Sequence, residues 1–167
     1  MPTQAGPSMG ANDGDDCHLE LVFSRRWKHV AVVRGFVQSY LAVHLPEDGP
    51  TNPERVAMAV SELMENAVKY STGAGIKVAV SFSHTSMPLL RVVVENQAER
   101  ESIRSVRELF DRVMAGEPLE TYLTMMREAA AKGHGQSQLG LIRIRCESGC
   151  RLSLETPEDL VRFVLDL

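Results

Sequence analysis

The chain has 167 residues, 44% of them hydrophobic, and a formal charge of −4, enough for one sizeable core and too little for two full domains. The acidic balance and the lack of a dense Lys/Arg block give no footprint for nucleic acid or an anionic membrane. No apolar run nears the roughly 20 residues a bilayer span needs, and the opening "MPTQAGPSMGANDGDD" has neither basic head nor apolar leader segment, so a soluble, cytoplasmic protein is expected.

Residues 1–17 are rich in Gly, Pro, Asn and Asp, too polar to order themselves, and are expected to form a disordered tail before one domain over 18–167. Within "HLELVFS" (18–24), Leu19, Leu21 and Phe23 alternate with polar neighbours, the period of a half-buried strand. From Arg25 to about His44 the set Trp27, Val30, Val33, Val37, Tyr40 and Leu41 recurs every three or four residues, an amphipathic helix that ends at "PEDGP". Asn52 is a capping residue for the next helix, and Pro53 suits its first turn, where a missing N–H costs nothing. That helix runs to about Ser71.

The period then changes. "IKVAVSFS" (76–83) and "LLRVVVE" (89–95) read as β-branched strands of a hairpin joined by "HTSMP". Residues 101–131 return to helical spacing in two pieces broken at "AGEP" (115–118). The second carries Leu119, Tyr122, Leu123, Met126 and Ala130 as a stripe expected to face the core. "GHGQSQ" is loop, and "LGLIRIRCES" is a helix by context although its alternation also suits a strand. "CRLSLET" and "LVRFVLDL" close the chain as paired strands. The order of elements predicts an α+β, two-layer α/β sandwich with helices on one face of a mixed, mostly antiparallel sheet. Cys17, Cys146 and Cys150 have no His partner at metal-ligand spacing, so they are expected to be free thiols.

Two stretches carry chemistry. In "AVSELMENAVKYS" (59–71), Glu62 and Asn66 stand four apart and Lys69 three further on, one stripe of a helix beside an apolar comb. A carboxamide oxygen is a hard neutral ligand for Mg²⁺, a carboxylate one turn away can accept a hydroxyl proton, and an ammonium meets phosphate as a point charge. The same stripe also suits the solvated side of an ordinary helix. Downstream, "GHGQSQLGL" sets Gly133, Gly135 and Gly140 at the mouth of a helix. Unpaired amide hydrogens there favour an anion, and glycines let backbone approach it.

Together and in this order the two stretches resemble the N box and second glycine box of the histidine-kinase-like (GHKL, or Bergerat) ATPase family, in particular its anti-sigma-factor serine/threonine kinase branch. The resemblance covers roughly residues 18–167. It implies the Bergerat ATP-binding fold, ATP and Mg²⁺ as cofactors, Glu62 as the catalytic base and Asn66 as the metal ligand. It further implies that Lys69, Gly133, Gly135, Ser137, Leu139 and Gly140 line the phosphates. The implied partners are a sigma factor and a STAS-type antagonist whose Ser or Thr is phosphorylated, with homodimers common in the family.

This sequence departs from the family where a strand should end in D-x-G, the Asp accepting a hydrogen bond from the adenine amino group. Here "VVVENQAER" puts Asn96 and Ala98 on those positions. Asn96 still offers an acceptor oxygen, but a neutral one, and Ala98 takes positive φ less readily than Gly. Glu95 supplies a carboxylate only if the strand slips by one residue, which reverses its faces. Two functional readings follow. One is an ATP-dependent protein Ser/Thr kinase that also sequesters its partner; the other is a catalytically inactive protein-binding module with a degenerate nucleotide site.

Overall fold

The computed structural model describes residues 17–83, 87, 89–132 and 139–167. The expected tail, apart from Cys17, lies outside them. The elements are β1 (Cys17–Ser24), α1 (Trp27–Leu41), α2 (Pro53–Tyr70), β2 (Ser71–Phe82), β3 (Leu90–Ala98), α3 (Arg100–Met114), α4 (Pro118–Lys132), α5 (Gly140–Glu147), β4 (Arg151–Glu155) and β5 (Leu160–Asp166). They form a two-layer sandwich with the helices on one face of a five-stranded sheet of order β1-β2-β3-β5-β4. The mixed sheet expected from sequence is antiparallel at every pairing.

The local reasons are those of the sequence. Asn52 accepts a hydrogen bond from the Arg55 N–H at 3.0 Å and so caps α2, with Pro53 in its first turn. The core lies between the layers: Val30, Val33, Val37 and Leu41 of α1 and Val56, Val60, Leu63 and Met64 of α2 meet Ile76, Val78 and Val80, Val92 and Val94, and Phe163 and Leu165 of the sheet. Cys17, placed by sequence in the tail, opens β1 and pairs with Phe82.

Two apolar expectations change. Trp27 is about half exposed rather than core, because it begins α1 and lies at the rim of an open groove with Ala31, Gly35, Ser61 and Glu65. On α4 the buried residue is Met125, flanked by half-buried Tyr122, while Leu119, Leu123, Met126 and Ala130 face outward. α4 lies at the periphery, where it meets only α3 and α5 closely, so one narrow face suffices to dock it. Arg145 of α5 fixes the bend between α3 and α4 by donating to the carbonyls of Val113 (2.5 Å) and Gly116 (2.9 Å).

The sheet face away from the helices carries three rows across its strands. His18, Ser81, Arg91, Asp166 and Arg151 form the first; Glu20, Ala79, Val93, Val164 and Ser153 the second; Val22, Lys77, Glu95, Arg162 and Glu155 the third. In the first row Arg91 grips Asp166 with two bonds of 2.8 and 3.0 Å, and Arg151 adds a third at 3.3 Å. The Arg91 bonds hold the Asp166 carboxyl below its ordinary range, outweighing its burial. A carboxylate with a lowered folded pKa stabilises the fold fully above its unfolded value and loses that contribution as pH falls through the folded one. Asp166→Asn should therefore cost about 1 kcal/mol at neutral pH, a modest figure because both arginines are exposed. Urea melts at neutral and strongly acidic pH check this: the gap between variant and wild type should close in acid.

Candidate functional site

Glu62, Asn66 and Lys69 lie along the C-terminal half of α2, as the helical spacing requires. Crowded apolar neighbours on the other side of the helix, Leu63, Met64, Ala67 and Val68, fix its rotation. Asn66 is half-buried and Lys69 exposed. Among the described residues neither side chain is engaged in a hydrogen bond or ion pair.

α5 packs across α2, and its first residue meets the glutamate. A Cβ placed on Gly140 would stand 2.7 Å from Glu62 Oε2, inside van der Waals contact, so the present position of the Glu62 carboxylate depends on glycine there. Leu139 is the N-cap residue of α5 and accepts from the Arg143 N–H at 2.9 Å. The sequence-predicted residues Glu62, Leu139 and Gly140 thus gather at one place. Gly133, Gly135 and Ser137 lie outside the described residues.

Arg143, which sequence reasoning passed over, completes this corner. It donates to Glu62 Oε1 at 3.0 Å and to Glu147 Oε2 at 3.2 Å. The available signal was its spacing: once 140–147 is a helix, Arg143 stands three residues after Gly140 on the same face. Glu62 keeps only 24% of its side chain exposed. Burial pushes its carboxyl above the ordinary range, the nearby Glu65 pushes the same way, and the Arg143 guanidinium opposes without reversing the shift. A raised carboxyl in a partly enclosed corner is the environment of a general base.

Asn96 is only 7% exposed and sits on the covered face of β3, in line with Val92 and Val94. Its amide nitrogen donates to the Gln97 carbonyl at 3.0 Å, which leaves its oxygen for a donor such as an adenine amino group. Glu95 is on the opposite face, bound to Arg162 at 2.6 Å and Lys77 at 3.4 Å. The strand register therefore keeps its carboxylate out of the candidate site. Ala98 is the last residue of β3, paired with Ser71 beyond a shift in register, and its N–H donates to the Asp159 carbonyl at 2.8 Å; the chain passes from it through Glu99 into α3.

For Mg²⁺ the donor set fits a metal held chiefly by phosphate and water. The described residues hold no group of three or more His, Cys, Asp or Glu side chains suited to a metal, and Asn66 offers one hard oxygen, the limited protein share Mg²⁺ commonly accepts beside phosphates. None of the three cysteines is in a disulfide. Cys146 is exposed, and burial pushes the Cys150 thiol up to about 11, which keeps it protonated and inert.

No family model matches the chain, and no curated protein matches it. Among solved structures, a chain in the crystal structure of the SiaB–SiaC complex from Pseudomonas aeruginosa matches with a TM-score of 0.61 and 19% identity, over 89% of this chain and 88% of that one. At that identity the likeness is one of fold, spanning nearly the whole of both chains. No helix among the described residues is long and apolar enough to cross a membrane.

Proposed function

We propose that this chain is an ATP- and Mg²⁺-binding regulatory protein of the anti-sigma-factor serine/threonine kinase type, with the Bergerat fold, which phosphorylates or sequesters a STAS-type antagonist protein in bacterial partner-switching signalling. The observation that carries this reading is the meeting of Glu62 with Gly140. Two motifs far apart in sequence converge as a nucleotide site built from an N box and a glycine box would require. The fold shared with a chain of a two-protein complex is consistent with work done on a protein partner.

ATP with Mg²⁺, when bound, supplies the transferable phosphoryl group and neutralises much of its charge. The chain's own residues do the rest. Asn66 offers its carboxamide oxygen to the metal, Lys69 its ammonium to phosphate, and Asn96 its oxygen to the adenine amino group. The opening N–H groups of α5 at Leu139 and Gly140 favour an anion. Glu62 accepts the proton of the acceptor hydroxyl, its raised pKa bringing it nearer to working pH. Arg143 holds that carboxylate in place and, by its charge, opposes part of the upward shift that burial imposes.

A second reading, a binding module without nucleotide chemistry, is favoured by the neutral Asn96 and by an alanine, Ala98, where the family's motif has glycine. The two separate in a thermal-shift series with ATP, ADP and Mg²⁺. Ligand at 100 times its dissociation constant adds about 2.7 kcal/mol, a rise in melting temperature of roughly 5–10 °C for a chain of this size. A flat melting temperature at millimolar ATP removes the first reading. With a shift in hand, radiolabel transfer to a STAS-type protein tests the kinase itself.

A further inference from the structure

The guanidinium of Arg143 is only partly used by its own chain. Nη1 donates to Glu62 Oε1 at 3.0 Å and Nε to Glu147 Oε2 at 3.2 Å. A guanidinium carries five N–H groups in a planar fork, so these two bonds leave three, both hydrogens of Nη2 included, with no partner among the described residues. The side chain is 45% exposed, so a ligand can reach it with α5 still packed on α2.

The surroundings say what that ligand is. Glu62 feels the charges of Glu65 and Glu147, and Arg143 is the cation set between Glu62 and Glu147. Lys69 stands seven residues beyond Glu62, about 10 Å along the axis of α2, so it serves a different part of any anion bound there. A base that takes the acceptor's proton stands at the end of the nucleotide from which the phosphoryl group leaves, and Arg143 is bonded to that base. Its fork matches phosphate oxygens as well as it matches a carboxylate.

On the nucleotide reading given above, we infer that Arg143 makes this site prefer a nucleoside triphosphate to a diphosphate, donating from Nη2 to the terminal phosphoryl group while Nη1 stays on Glu62. Glu147 holds the guanidinium at this spot beforehand and competes for it. A diphosphate has no group at that end, so Arg143 adds little to its binding.

Calorimetric titration of the full chain with Mg²⁺ and either ADP or the β,γ-imido analogue of ATP, which cannot transfer its terminal group, reads the preference as a ratio of affinities. Arg143→Gln alone would bare the Glu62 carboxylate and repel any nucleotide, so the deciding comparison is made in Glu62→Gln, with circular dichroism to show that each variant is folded. Adding Arg143→Gln there should weaken the triphosphate analogue about ten-fold with little change for ADP. Arg143→Lys keeps the charge but not the fork and should recover only part of the ratio. Glu147→Gln, which removes the competitor, should raise it. Equal losses for the two nucleotides, or a ratio indifferent to Arg143→Gln, would overturn the inference and leave the nucleotide reading standing. Should Arg143→Gln fail to fold, a wild-type ratio in both Arg143→Lys and Glu147→Gln overturns it instead. Wild type that binds neither nucleotide removes the inference together with the reading beneath it.

Discussion

In Glu62→Gln, phosphoryl transfer to an acceptor protein is expected to fall by roughly 10²- to 10⁴-fold, while the protein melts at neutral pH no lower than wild type. The two halves of this result have one cause. Glutamine keeps the shape and the bond from Arg143 but can no longer accept a proton. It also removes a carboxylate that the fold desolvates and sets near Glu65. Because the folded pKa of Glu62 is raised above its unfolded value, folding favours the protonated form. The stability this brings is complete below the ordinary carboxylate range and disappears as pH rises through the raised value. The melting-temperature difference in favour of the variant should thus be small in acid and largest at neutral pH. Arg143 retains Glu147 at 3.2 Å in the variant, so no guanidinium is stranded. Transfer assays and a pH series of melts measure both. Undiminished transfer in the variant would remove Glu62 from the chemistry.

A larger structural effect is expected from Gly149→Ala, with a loss of roughly 2–5 kcal/mol. Gly149 follows α5 with φ +73°, a left-handed conformation that costs an L side chain about 1–2 kcal/mol. A Cβ there also meets the Pro50 carbonyl oxygen at 2.7 Å and crowds Thr51 Oγ1, which donates to the Gly149 carbonyl at 3.2 Å. Displacing backbone in a packed region adds about 1–3 kcal/mol. This contact ties the end of α5 to the loop before α2, so the damage falls on the two helices that form the candidate site. A fall in melting temperature of at least about 5 °C, together with weakened ATP-induced stabilisation, is the expected reading. An unchanged melting temperature would refute the account of this corner.

Much of the fold was legible because its signals are local. Asn52 and Pro53 announce the start of α2, the spacing of Glu62 and Asn66 gives them one face, and the alternation in 76–83 and 89–95 gives a hairpin. Periodicity identifies apolar faces but not the neighbours available to them. Trp27 and the α4 stripe were assigned inward for that reason, since what decides their exposure is how many elements lie beside α1 and α4. The site divides in the same way. Glu62, Asn66 and Gly140 were visible as motifs, whereas the Arg143 clamp depends on the crossing of α2 and α5. Glu95 looked like a spare carboxylate in one dimension. Pairing with Lys77 and Arg162 assigns it to the far face.

The strand order has a consequence for how the molecule is made. β3 lies at the centre of the sheet, yet one of its two partners, β5, is the last strand in the chain. During synthesis β1, α1, α2, β2 and β3 emerge first, and until β5 docks the middle strand is a bare edge open to wrong pairings. The ribosome thus releases the Glu62 helix well before the Arg143 helix, and the corner that joins them closes only once α5 has followed.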